Sequence, residues 1–93
     1  MSIEFQWDKD KACLNLKKHG ISFEQAATSF YDTLSITIAD YEHSVDEGRY
    51  VLLGLSNQDR LLVVAHTDRG GAIRIISARS ATNKERKYYE ATR

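Results

Sequence analysis

The feature that most limits the folds open to this chain is a change in the spacing of its apolar residues after Asp32. From there onward, apolar side chains alternate with polar ones or form short runs, which is typical of strands. The last three of these segments are separated by turns short enough for successive hairpins. We therefore predict four strands, at residues 34–39, 50–55, 61–67 and 72–78, joined through residues 42–48, 56–59 and 68–71.

The part of the chain before Asp32 predicts one strand and two helices. Ile3, Phe5 and Trp7 alternate with polar residues and indicate a strand at about residues 2–7. Asp8 and Gly20 are a suitable cap and stop for a first helix over residues 9–19.

Two pairs of polar residues at capping-box spacing mark the starts of two further helices. Ser22 and Gln25 precede the apolar stripe of the second helix, and Thr82 and Glu85 open a final helix that begins near residue 80 or 82. The resulting order predicts an α+β fold, in which an antiparallel sheet carries the two N-terminal helices on one face and is followed by a C-terminal helix. We expect the other face to be open enough for a functional site.

Length and composition narrow the class of protein. A chain of 93 residues supports one modest core, so residues 1–93 are expected to form a single domain. No run approaches the about 20 apolar residues that span a bilayer, and the acidic amino terminus is unlike a secretion signal. The lone Cys13 cannot form an internal disulfide, which fits a reducing compartment. We expect a cytoplasmic protein without a membrane segment.

The net charge of zero conceals two oppositely charged segments. Residues 31–59 contain six acidic residues and one arginine, and residues 69–93 contain seven basic residues and two acidic ones, which gives net charges of −5 and +5. A basic segment can attract a polyanion within the screening distance of about 8–10 Å even when the whole molecule is neutral. A solvated, charged helix face explains the same counts equally well.

Two sets of residues resemble the BrnT toxins of bacterial type II toxin–antitoxin modules. The first set comprises Phe5, Trp7, Asp8, Lys11, Asn15, residues 18–21, Phe23, Phe30 and Asp32. The second comprises Arg49, residues 54–56, Arg60, residues 62–64, residues 74–79, Glu85 and Arg86. The resemblance implies a RelE-like fold and a ribonuclease that arrests growth by cutting RNA. It also implies a partner, a small BrnA-like ribbon-helix-helix antitoxin that covers the active groove and brings the pair to operator DNA.

Metal-free RNA cleavage needs a base, cations that hold the phosphate, and an acid for the departing oxygen. Arginine can supply only the cationic role, because it stays protonated. Arg79 at the end of the last predicted strand is our first candidate and Arg60 the next, while Arg74 is a candidate for RNA contact. If the strand is regular to its end, Arg79 lies on the face of Ser77, opposite to Arg74.

For the proton transfers, histidine is the best suited residue type, since it titrates near neutrality. We favour His19 together with Lys18, because the resemblance covers both, and keep His66 on a central strand as an alternative. His43 lies in an acidic loop. Each histidine also has a structural explanation: His19 could complete a helix end, and His66 could be a hydrogen-bonded core residue.

Three residues of the predicted last helix are candidates for RNA contact, namely Glu85, Arg86 and Tyr88. Tyr88 or Tyr89 could stack on a base, which is worth about 1–3 kcal/mol in an open site, and at least one of them should anchor the helix to the sheet. A helix-capping role explains the presence of Glu85 as well as a role in proton transfer does. Arg86 could contact phosphate or simply solvate the helix.

No metal or cofactor site is predicted. The histidines and acidic residues lack the His-x-x-His or paired-carboxylate spacing of zinc and two-metal sites. Gly70 and Gly71 indicate a hairpin turn, since no helix follows them to form a phosphate-binding loop.

Two functions of different classes fit these observations. The leading hypothesis is a toxin that acts as a metal-independent endoribonuclease and is neutralised by its antitoxin. The alternative is a non-catalytic binding module that assembles with a DNA-binding partner for operator autoregulation.

Overall fold

The predicted order of one strand, two helices, four strands and a helix is confirmed by the computed structural model, which describes residues 2–43 and 48–92. Residues 44–47 of the predicted 42–48 connection lie outside the described residues. The strands are β1 (Phe5–Gln6), β2 (Ile36–Ala39), β3 (Arg49–Leu55), β4 (Leu61–Arg69) and β5 (Ala72–Ser80). The helices are α1 (Lys9–His19), α2 (Phe23–Thr28) and α3 (Asn83–Ala91), with single 3-10 turns at Ser29–Tyr31 and Tyr41–His43.

The five strands form one sheet in the order β1-β5-β4-β3-β2. Strands β2 to β5 pair antiparallel, as predicted, whereas β1 pairs parallel with β5. Only Phe5 and Gln6 join the sheet from the segment predicted as a strand at 2–7, and they pair with Ile73 and Arg74. Within the part of the chain that the structure describes, the rest of this edge of β5 has no strand beside it and contacts α1 instead.

The helix ends follow the signals in the sequence. Asp8 accepts a hydrogen bond of 2.9 Å from the Lys11 backbone N–H at the start of α1, and Gly20 ends this helix with a φ of 70°. A positive φ of this kind favours glycine. Thr82 and Glu85 form the complete capping box of α3. Among the described residues, no helix is long and apolar enough to cross a membrane.

Ser22 forms only half of its predicted capping box. Its hydroxyl accepts a hydrogen bond from the Gln25 backbone N–H, but the Gln25 side chain turns to the Ser56 hydroxyl at 3.1 Å. This bond links α2 to the turn between β3 and β4.

The sheet has apolar clusters on both faces. Helices α1 and α2 cover one face, where the buried residues are Ile21, Phe23, Ala26, Leu62, Val64, Ile75 and Ala78. Helix α3 covers part of the other face through Tyr89, which packs against Leu53, Leu61 and Val63. The face that was predicted to be open is therefore covered at one end by α3.

A bulge in β5 changes the faces of its side chains. Ala65 pairs with Ser77 but the next residue, His66, pairs with Ile75, so Ile76 has no partner on β4. An extra residue of this kind reverses the alternation of side chains along a strand. Arg74 pairs with Thr67 and Arg79 pairs with Val63, two residues of β4 that share a face. The prediction that Arg74 and Arg79 lie on opposite faces is wrong, because the strand is not regular.

Candidate functional site

The face of the sheet that carries α3 also carries three arginines, and we call it the arginine face. Its side chains form rows of directly opposed residues on neighbouring strands, with successive rows about 7 Å apart. The three rows that concern the site are Arg49–Thr67–Arg74, then Ile38–Val51–Ala65–Ser77, then Ile36–Leu53–Val63–Arg79. On this face, Arg74 and Arg79 lie on β5, and Arg49 lies on β3 in the row of Arg74. The residues that β2 and β3 contribute to the other two rows are apolar.

Arg79 is held in place by Glu85 of α3. Its Nη1 and Nη2 atoms donate to the two carboxylate oxygens at 2.8 and 2.9 Å, and Nη1 also donates to the Ser80 carbonyl at 3.2 Å. The hydrogen bonds to Glu85 raise the pKa of Arg79, so the side chain stays protonated. A guanidinium has five N–H donors, and among the described residues the Nε–H and one Nη2–H have no acceptor.

Glu85 has a structural role at the start of α3. Its carboxylate accepts from Arg79 and from the Thr82 backbone N–H at 2.8 Å. The hydrogen bonds from Arg79, together with that from Thr82, lower the pKa of Glu85 from 4.5 to about 2. Glu85 is therefore ionised near neutral pH and orients the Arg79 guanidinium.

The Glu85→Gln variant should reveal this ion pair as a pH-dependent loss of stability. The pKa of Glu85 in the folded protein lies below its ordinary value. The ion pair therefore stabilises the fold fully above about pH 4.5, and this stabilisation disappears as the pH falls toward 2. The pair is partly exposed, so we expect a difference in unfolding free energy of roughly 1–2 kcal/mol at pH 7. Glutamine preserves the capping box. The measurement is urea unfolding from pH 7 to pH 2, with Glu90→Gln on the same helix as the control, and an unchanged difference across this range would contradict the assignment.

Lys18 and His19 line a surface groove of about 200 Å³ between α1 and β5. Ile76 and Ser77, at the bulge, form its other wall. Ser77 belongs to the arginine face, so the groove opens beside the strand that carries Arg74 and Arg79. The structure thus places Lys18 and His19 beside Ile76 and Ser77 of β5.

The same groove contains a cation that the site prediction missed. Lys11 lines it together with Lys18. The two lysines are seven residues apart on α1, which places them on one side of a helix after two turns. That spacing is the signal by which Lys11 could have been found.

Arg60 lies at the end of the sheet where α3 begins. It follows the tight turn after β3, and its backbone N–H donates to the Ser56 hydroxyl at 3.3 Å. The next residue, Leu61, accepts a hydrogen bond from Ala81, just before α3. The exposed Arg60 side chain is therefore at the same end of β4 and β5 as Arg79.

His66 is separated from the other candidates. It points to the face covered by α1 and α2, is 6% exposed, and lies with its ring centroid 4.8 Å from that of Phe30 and 5.9 Å from that of Tyr50. Its Nδ1 is 3.2 Å from the Val64 carbonyl. Burial lowers the pKa of His66. His66 is therefore a neutral, hydrogen-bonded core residue, which is the structural explanation given for it from the sequence. It does not lie on the arginine face.

The two tyrosines of α3 have different environments. Tyr89 is buried, and its hydroxyl donates to the Asp32 carboxylate at 2.6 Å, which anchors the helix to the sheet as predicted for one of the pair. Tyr88 is 55% exposed and lines an apolar groove of about 110 Å³ above β2 and β3. Arg86 lies exposed on the same helix. His43, the remaining histidine, is exposed, and its Nδ1 atom lies 2.9 Å from the Oδ2 atom of Asp40.

Within residues 2–43 and 48–92, no three side chains of histidine, cysteine, aspartate or glutamate lie close enough together to hold a metal ion. The groove at the edge of β5 includes two lysines, a histidine and a serine hydroxyl among its lining residues. Such an arrangement can bind an anionic group through charge-assisted hydrogen bonds.

Comparisons with known proteins agree with the resemblance in the sequence. The family described as the ribonuclease toxin BrnT of type II toxin–antitoxin systems matches residues 7–85. The 1.1 Å crystal structure of the Brucella abortus ribonuclease toxin BrnT is 25% identical in sequence, with a TM-score of 0.70, and the match covers 88% of this chain and 100% of that one. No curated protein matches the chain significantly. The fold and the family match over most of the sequence lead to one conclusion: the chain belongs to the BrnT family of ribonuclease toxins of type II toxin–antitoxin systems.

Proposed function

We propose that this toxin is an endoribonuclease that cuts RNA without a metal ion, and that its active site is the edge of β5. One observation carries the proposal: the bulge at Ile76 places Arg74 and Arg79 on one face, with Ser77 between them opening onto the groove of Lys18 and His19. This supports the proposal, because Ser77 belongs to the face of the two arginines and also lines the groove of Lys18 and His19.

The proposed reaction is attack of the ribose 2′-oxygen on the adjacent phosphorus, which breaks the bond between phosphorus and the 5′-oxygen. His19 takes the proton of the 2′-hydroxyl, with Lys18 beside it. Arg79 and Arg60 hold the negative charge that grows on the phosphoryl oxygens, since positioned donors act most strongly where charge develops. The departing 5′-oxygen takes up a proton, and a protonated His19 or Lys18 is close enough to the groove to supply it.

The remaining candidates bind the RNA strand outside the reacting linkage. Arg74 on the arginine face and Arg86 on α3 provide guanidiniums for neighbouring phosphates. Exposed Tyr88 offers a ring for stacking. Glu85 contributes by orienting Arg79 through the two hydrogen bonds described above.

The test is incubation of purified, antitoxin-free protein with RNA in the presence of EDTA. We expect cleaved RNA with 2′,3′-cyclic phosphate ends, since the mechanism uses the 2′-oxygen and no metal. A parallel preparation of a catalytically impaired variant controls for contaminating nucleases. Intact RNA in this assay, together with intact transcripts in growth-arrested cells, would reject the catalytic proposal.

One observation favours the second candidate, a non-catalytic binding module that helps a DNA-binding partner occupy its operator. Arg79 already spends three of its donors on internal hydrogen bonds, to Glu85 and Ser80. If the protein is such a module, Arg79→Ala should leave growth unchanged and disturb assembly with the partner.

We also propose the nature of the partner. Membership of a type II toxin–antitoxin family implies an antitoxin and an RNA target. The resemblance supports a BrnA-like ribbon-helix-helix antitoxin that covers the edge of β5 and brings the complex to operator DNA through its own DNA-binding half. An RNA target places the action of the toxin in the cytoplasm.

A further inference from the structure

The arginine face contains an apolar groove that the proposed reaction does not use. It lies between α3 and strands β2 and β3, has a volume of about 110 Å³, and is lined by aliphatic side chains together with Tyr88 and Glu85. Ile38 and Tyr88, which form part of its rim, are 57% and 55% exposed. Two large apolar side chains thus remain in solvent on either side of a small opening.

Cationic residues flank this groove on the same face. Ile38 and Val51 belong to the row between that of Arg74 and that of Arg79. Glu85 connects the groove to the proposed active site, because its side chain lines the groove and also holds Arg79. The lining residues Ile36, Leu53 and Val63 belong to the row of Arg79, so a ligand seated in the groove would lie over that row and the middle row, with the row of Arg74 next to it.

We propose that the groove binds one nucleobase of the RNA strand, with the base against the Tyr88 ring and the phosphates on either side held by Arg74 and Arg79. This inference rests on the proposed function and adds a subsite to it. The chemistry favours a nucleic acid, because an apolar opening beside cations matches the flat face of a base whose ribose carries a phosphate on either side. The small volume accommodates a single ring system.

The experiment compares binding of two strands that cannot be cut. One is a short, fluorescently labelled 2′-O-methyl oligocytidylate, and the other is a strand of the same length and charge without bases. Anisotropy at one fixed salt concentration gives Kd for each strand, because phosphate contacts depend steeply on salt. Tyr88→Ala should weaken binding of the first strand about tenfold, in the range expected for one stacked base, and leave binding of the abasic strand unchanged.

Further variants separate stacking from charge and from folding. Tyr88→Phe should bind like the unaltered protein, since the ring is preserved, and Ile38→Ser should weaken only the base-bearing strand. Arg74→Ala should weaken both strands. Tyr41→Ala removes a tyrosine that is 88% exposed and lies outside the groove, so it serves as the matched control. Circular dichroism of each variant reports its folding.

The outcomes distinguish this inference from the proposed function. Cleavage of ordinary RNA, measured in parallel, tests catalysis, whereas the uncleavable strands test the groove. If RNA is cleaved but Tyr88→Ala and Ile38→Ser bind both strands normally, the inference is wrong and the function stands. If these two variants instead lose only antitoxin binding, the groove is a protein-docking surface and the inference is also wrong.

Discussion

Replacing Arg79 with alanine should reduce the rate of RNA cleavage by about 10²–10³-fold, the usual loss for one positioned donor that stabilises transition-state charge. The guanidinium is held by two hydrogen bonds to Glu85, so its remaining donors are fixed in direction before RNA binds. Preorganised donors of this kind act without reorienting during the reaction. The measurement is kcat/KM on a short RNA in EDTA, and the same variant should relieve growth arrest in cells.

Two companion variants show whether the loss belongs to the site. Arg79→Lys keeps the charge but not the fork that matches phosphate, so we expect an intermediate loss. Lys84→Ala removes a cation from the exposed side of α3 and should leave the rate unchanged. Arg79→Ala leaves the Glu85 carboxylate partly exposed and solvated, and a cooperative urea transition would show that the fold survives. A folded Arg79→Ala protein with normal cleavage would overturn the assignment of Arg79 to the active site.

Local signals in the sequence predicted the elements of the fold well. Asp8, Gly20 and the Thr82–Glu85 pair act within one helical turn, so their caps follow from a few neighbouring residues. The order of strands and helices followed from the apolar spacing. The parallel pairing of β1 was not predictable in this way, because it depends on contact with residues 68 positions away.

The site was predicted only in part, because its geometry depends on the bulge. No local signal marks Ile76 as unpaired, and yet this one residue decides that Arg74 and Arg79 share a face. Tyr88 and Tyr89 are adjacent and chemically identical, so only packing shows which of them anchors α3. Likewise, the burial of His66 depends on Phe30 and Tyr50, which lie far from it in the chain.

Asn15 explains how β5 is held at the edge where β1 has ended. Its Nδ2 donates to the carbonyls of Ile21 and Ala78 at 3.0 and 2.8 Å, and its Oδ1 accepts from the Ala78 backbone N–H at 3.1 Å. The amide therefore replaces the strand that would otherwise pair with Ala78. Because Ala78 immediately precedes Arg79, this buried side chain also fixes the backbone of the proposed active site.

The Asn15→Asp variant should be destabilised by about 3–5 kcal/mol at neutral pH. The change is nearly isosteric, but it removes both donated hydrogen bonds and places a carboxylate against two buried carbonyl oxygens, each loss costing about 1–3 kcal/mol. This is a large share of the about 5–15 kcal/mol that a small domain has. Burial against two carbonyl oxygens raises the pKa of the new carboxyl, so the deficit should shrink as the pH falls and the group protonates. Urea unfolding at pH 7 and pH 5 measures both effects.

Asn57→Asp is the matched control, because Asn57 is exposed and its Oδ1 only accepts a hydrogen bond, from the Thr28 hydroxyl at 3.3 Å. Equal stability of the two variants would show that Asn15 does not hold β5.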